Sequence, residues 1–243
     1  METTLVANSR PRPPSFTSFK GTFKFPKLNK PDTKFKADGE FSVKLVGRID
    51  DPAVLALIAK LEPLYLAAEH NAVAEFAKLS AVARKKLGQP TMNPLYTEVL
   101  DETTEQPTGD VEFKFARAAS GTYKSGPKTG QKWHATIGIF DAKGVPVLKG
   151  PDIYGGTIGK VSFEVGLNQD GQPGYFIPGT GAAGLSLRLQ AVQVLDLVSG
   201  GQRTAAGYGF GEEDGYAYDP KDDTTETSEG NKAAAEDDGS GDF

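Results

Sequence analysis

The 243-residue chain has no cysteine, and only two histidines, two methionines and one tryptophan. Without cysteine there is neither a disulfide framework nor a thiolate metal site, which fits a reducing compartment. His70 and His134 stand far apart with no Asp/Glu/His spacing around them, which argues against zinc. No apolar run approaches the ~20 residues that cross a bilayer, and Met1-Glu2-Thr3-Thr4 lacks the charged lead and apolar core of a secretory signal. The expectation is a soluble intracellular protein with no membrane contact. Catalytic patterns are missing too. Gly155-Gly156-Thr157-Ile158-Gly159-Lys160 superficially resembles a phosphate loop, but Val161 stands where Ser or Thr is required and a strand-like stretch follows. The carboxylates gather at the C-terminal end, where no rigid scaffold would position them for acid–base work. The sequence therefore predicts a non-enzyme that needs no cofactor.

What is present divides by charge. Residues 212–243 hold twelve acids against Lys221 and Lys232, a net charge of −10, so with the whole chain at −5 the preceding residues carry +5. A segment this polar buries too little apolar surface to offset its ordering entropy, and it reads as a disordered tail. A tail that only solubilises has no need of the aromatic end Asp242-Phe243, whereas a partner-binding tail would use Asp237, Asp238, Asp242 and Phe243.

The body, residues 1–211, is rich in turns, holding most of the chain's 29 glycines and 16 prolines. Phe19 to Phe25 alternates with a period of two, which sets Phe19, Phe23 and Phe25 on one strand face and Lys20 and Lys24 on the other. Alternation resumes from Thr33 to Val46. Asp50-Asp51-Pro52 then opens a helical insertion over about 52–87, because Asp caps a helix well and Pro suits its first turn. Pro63 should kink or split it. Arg84-Lys85-Lys86 near its end suits the helix dipole and equally a phosphate. Gln89 to Asp110 reads as a connecting loop. Strands follow at Val111–Arg117, Lys132–Phe140, Val161–Val165 and Gly184–Val198, with a hairpin turn at Asp141–Gly144. Five to seven strands, one helical insertion and frequent glycine describe a mainly β protein, an OB-fold-like, partly open barrel.

Basic and aromatic residues interleave in two zones. Residues 10–36 contain eight Lys or Arg and one acid, and no acid occurs between Phe113 and Phe140. Single-stranded nucleic acid is bound by this combination, with cations following the phosphates and bases stacking on rings. Lys20, Lys24, Lys34, Lys36, Lys114, Arg117, Lys124, Lys128, Lys132 and Lys160 are the phosphate candidates. Phe23, Tyr123, Trp133 and Tyr154 are the stacking candidates, since Lys or Gly flanks each, while Phe41, Phe113, Phe140 and Phe163 are assigned to the core. The alternative from another class is a structural or chaperone-like interaction module with a solubilising tail. The residues themselves do not separate DNA from RNA.

Three places resemble the single-stranded DNA-binding proteins of tailed-phage replication. They are the end Glu236–Phe243, the stretch Pro151–Val161 followed by Gly181–Val192, and the order of strand pair, helix, basic turn and Asp-x-Lys-Gly hairpin. The resemblance implies an OB-fold, sequence-independent binding of single-stranded DNA in replication and recombination, and a location in the cytoplasm of the infected bacterial host. It also implies a homodimer and contact of the tail with replication proteins such as polymerase, helicase or primase. Gly166–Pro178 departs from the family pattern as an extra or altered hairpin.

Overall fold

The structure is a computed structural model, and residues 11–199 are described. The expected tail, with Asp237, Asp238, Asp242 and Phe243, lies outside the described residues.

Among the described residues, thirteen strands and two helices follow one another. After β1 (Ser15–Thr17), β2 (Gly21–Asp32) and β3 (Glu40–Arg48) come α1 (Pro52–Ala77) and α2 (Ala81–Leu87). Next are β4 (Thr91–Met92), β5 (Thr97–Leu100), β6 (Pro107–Ala118), β7 (Ser120–Thr122), β8 (Lys132–His134) and β9 (Gly138–Phe140). β10 (Ile158–Val165), β11 (Tyr175–Phe176), β12 (Ala182–Gly184) and β13 (Leu187–Asp196) are the last of the described elements.

Five of these close a barrel in the order β2–β3–β6–β13–β10 and back to β2. Pairing is antiparallel everywhere except β6–β13, which runs parallel through the single pair Ala116–Arg188. Sequential strands one, two, three, five and four therefore neighbour one another, which is OB topology. Alternation explains the core: Phe41, Val43 and Leu45 of β3 face Phe113, Phe115 and Val111 of β6 inside the barrel, with Phe163 and Leu189 from the other wall. The closing seam sets Gly21 opposite Gly159. A Cβ on Gly159 would lie 2.4 Å from the Gln193 carbonyl oxygen and 2.6 Å from the Phe23 ring, so only glycine lets the strands meet there.

Several expectations need correction. Pro63 lies inside one continuous helix, and the break falls instead at 78–80, where Ser80 caps α2 by accepting from the Ala83 N–H at 3.2 Å. The lost hydrogen bond at Pro63 is outweighed by burial of Val54, Leu57, Leu61, Ala68 and Ala72 along one helix face. The Asp51 cap is as expected, with its carboxylate accepting from the Ala53 N–H at 2.7 Å. The 89–110 stretch is not a plain loop. It contains β4, which pairs parallel with β12, and β5, which lines the edge of β6, while Pro107 is the first residue of β6, where a strand tolerates a missing N–H. Lys132–Phe140 breaks into β8 and β9, which pair in different sheets.

Candidate nucleic-acid interface

A cleft of about 1000 Å³ opens on the outer face of β3 and β6. Alternation builds its floor. While Val111, Phe113 and Phe115 of β6 fill the barrel, Glu112, Lys114 and Ala116 turn outward beside Glu40 of β3. Lys36 enters from the β2–β3 loop, and Arg188 from β13. Across from them stand Tyr123 and Trp133 of the β7–β8 hairpin, Tyr96 beside β5, and Tyr175 of β11.

Each aromatic has a reason to be where it is. Gly121 pairs with Trp133 across the hairpin, and a Cβ on Gly121 would come within 2.6 Å of the indole, so one ring face lies against bare backbone. Trp133 stays partly exposed. Tyr123 is 38% exposed, with the Lys128 ammonium 5.8 Å from its ring centroid. Tyr175 accepts a 2.6 Å hydrogen bond from the Asn93 amide, and the carbonyl of Asn93 accepts from Tyr65 of α1 at 3.1 Å. Burial, helped by Glu69 and Tyr175, holds the Tyr65 phenol above its ordinary pKa, so it remains a donor.

The cations are held by acids. Glu40 pairs with Lys36 and stands 3.8 Å from Lys114, while Glu112 pairs with Lys44 and stands 3.6 Å from Lys24. Arg117 donates to the Gln190 side-chain oxygen at 2.7 Å, and Gln190 donates to Glu164 at 2.9 Å. Gln190 reaches this position because β13 carries a bulge: Ser162 pairs with Ala191 but Phe163 with Leu189, leaving Gln190 unpaired.

Of the residues proposed from sequence, Lys36, Lys114, Arg117, Tyr123 and Trp133 come together in this cleft. Lys124, Lys128 and Lys132 are exposed on the same β7–β8 hairpin. Lys20, Lys34, Tyr154 and Lys160 lie off the cleft lining, and Lys24 touches it through Glu112. Phe23 is a correction: it has no exposed surface, its ring packs against Gly159 at the barrel seam, and it cannot stack on a base. Phe41, Phe113 and Phe163 are buried as expected, whereas Phe140 is only half-buried, at a second and more apolar cleft. Arg188, Tyr96, Tyr175 and Gln190 were missed. The Leu-Arg-Leu alternation at 187–189 was a usable signal for Arg188, and nothing local signalled the tyrosines.

A closed five-stranded barrel carrying a basic, aromatic cleft on its second and third strands, flanked by the loops that join strands one to two and four to five, is an oligonucleotide-binding barrel. A family model described as "Single-stranded DNA-binding protein, Bacteriophage T7" matches residues 21–197, and the chain belongs to that family. It is thus a single-stranded DNA-binding protein of the phage T7 type, a non-catalytic family. Among solved structures it is similar to gp2.5, a single-stranded DNA-binding protein encoded by bacteriophage T7, with 24% identity and a TM-score of 0.59 over 86% of this chain and all of that one. The single-stranded DNA-binding protein from bacteriophage Enc34 in complex with single-stranded DNA aligns at 11% identity and a TM-score of 0.45, over 76% of this chain and 88% of that one. No curated protein matches by sequence.

Among the described residues there is no group of three metal-ligating side chains and no helix long and apolar enough to cross a membrane.

Proposed function

We propose that the cleft holds one DNA strand without regard to sequence during phage replication and recombination, in the cytoplasm of the infected host. Lys36, Lys114, Arg117 and Arg188 follow the phosphates, and Trp133, Tyr123, Tyr96 and Tyr175 supply faces for the bases. The convergence of four cations with four aromatics on one outer barrel face carries this reading. Ring stacking contributes ~1–3 kcal/mol per base and favours no particular base. Residues 1–211 are the DNA-binding body and 212–243 the tail, whose −10 charge competes with DNA for the basic body. Phe243 at its tip is an apolar anchor for replication partners.

Titration with poly(dT), duplex DNA and RNA side by side is the test. Tight poly(dT) binding that quenches Trp133 fluorescence, with weak duplex binding, is expected. No poly(dT) binding at low salt would overturn the reading in favour of a protein-interaction module.

A further inference from the structure

Outside the cleft, two exposed rings stand on neighbouring segments, and one of them sits on a backbone that nothing in the fold accounts for. On β2, Lys24 pairs with Lys44 but Lys27 pairs with Ser42, so three steps oppose two. The extra residue is accommodated at Phe25, whose φ of 50° is rare for any side chain other than glycine. Its ring, which strand alternation would have buried with Phe23, is instead 66% exposed. A strained backbone that turns a large apolar ring into water costs stability twice, and such strain collects at functional sites.

Segment 151–157 runs alongside β2 and is pinned on both sides of this point. Toward the barrel, the Phe23 N–H donates to the Thr157 carbonyl at 2.8 Å and the Gly156 N–H to the Phe23 carbonyl at 2.9 Å. Farther out, the Asn29 amide donates to the Pro151 carbonyl at 3.2 Å and its oxygen accepts from the Ile153 N–H at 3.1 Å. Between the two anchors lies Tyr154, 46% exposed, whose N–H donates to the Val198 carbonyl at 2.9 Å and whose carbonyl accepts from the Thr157 N–H at 3.3 Å. Gly155 beside them is not demanded by packing, because a Cβ there would meet nothing closer than 3.8 Å. Its bareness leaves the platform uncovered, as close approach of a ligand requires.

The charge identifies the ligand. The Lys24 ammonium stands 5.5 Å from the Phe25 ring centroid and 3.6 Å from Glu112 on the cleft lining, and Lys20 and Lys27 are exposed nearby. Exposed rings on a lysine-bearing strand suit unstacked bases on a phosphate backbone better than an apolar protein face. We propose that Phe25 and Tyr154 form a second base-stacking site, joined to the cleft by Lys24, which lengthens the path of the strand. This rests on the cleft reading above.

The test compares poly(dT) with an oligothymidylate too short to leave the cleft, using the full chain and two variants, F25A and the double substitution F25A/Y154A. Poly(dT) affinity should fall roughly tenfold to a hundredfold. The length of strand occluded per protein should also shrink, while the short strand binds and quenches Trp133 as before. Unchanged poly(dT) affinity and occluded length in both variants would overturn the second site, as would equal losses on the short strand. A wild-type chain that binds neither strand would fail the cleft reading itself.

Discussion

Phe23 and Phe25 show what single residues disclose. Flanking lysines suggested an exposed Phe23, but on a strand the neighbours in sequence point to the opposite face, so they say nothing of the exposure of the residue between them. Alternation alone would have buried both rings, and the positive φ that ejects Phe25 leaves no trace in residue type. Replacing Phe23 with Ala should lower unfolding free energy by about 3–5 kcal/mol in urea denaturation, as for other large core aromatics. A variant of unchanged stability that had lost DNA affinity would return Phe23 to the surface. Lys114 was legible because it alternates with the core positions Phe113 and Phe115, whereas Arg117 shares their parity and reaches the cleft only near the end of β6. Like Lys114, Arg188 alternates with its apolar neighbours, Leu187 and Leu189, and was passed over, being the only cation in β13.

Elements carry the geometry that residue types do not. In β13 the apolar positions switch from Leu187 and Leu189 to Val192 and Val194, a change of parity visible in the sequence. Read as two apolar faces, it concealed the bulge at Gln190 that reaches Arg117. The β7–β8 hairpin is the converse case: Trp133 was identified, but its seat on Gly121 depends on a cross-strand pair that no local pattern specifies. Replacing Gly121 with Ala should displace the indole, shift Trp133 emission and weaken poly(dT) binding by about tenfold, the lower part of the range for one lost stacked base. Unaltered emission and affinity would show that the ring is not seated there. The small β11–β12–β4 sheet was illegible for a different reason, since its two- and three-residue strands are created by the packing of Tyr65, Asn93 and Tyr175 rather than by any propensity of their own.

For the whole molecule, fold class was readable from strand count, glycine use and the capped helix, whereas the closing order of the barrel was not, because parallel and antiparallel neighbours are chosen by long-range pairing. Charge distribution acts at this scale as well. If the four cleft cations each neutralise one phosphate, affinity should fall with salt at a log–log slope of about −3. Removing residues 212–243 should tighten binding, most at low salt where screening is weakest. Equal or weaker affinity of the truncated chain in gel-shift titrations would refute competition by the tail.

The join between β6 and β13 rests on one residue pair, Ala116–Arg188, whereas β3 and β6 are zipped from Glu40–Ala118 to Arg48–Asp110. Both partners of that lone pair line the cleft. The groove is thus floored where two strands of the barrel wall meet through a single backbone pair, a join that the 2.7 Å Arg117–Gln190 hydrogen bond also spans.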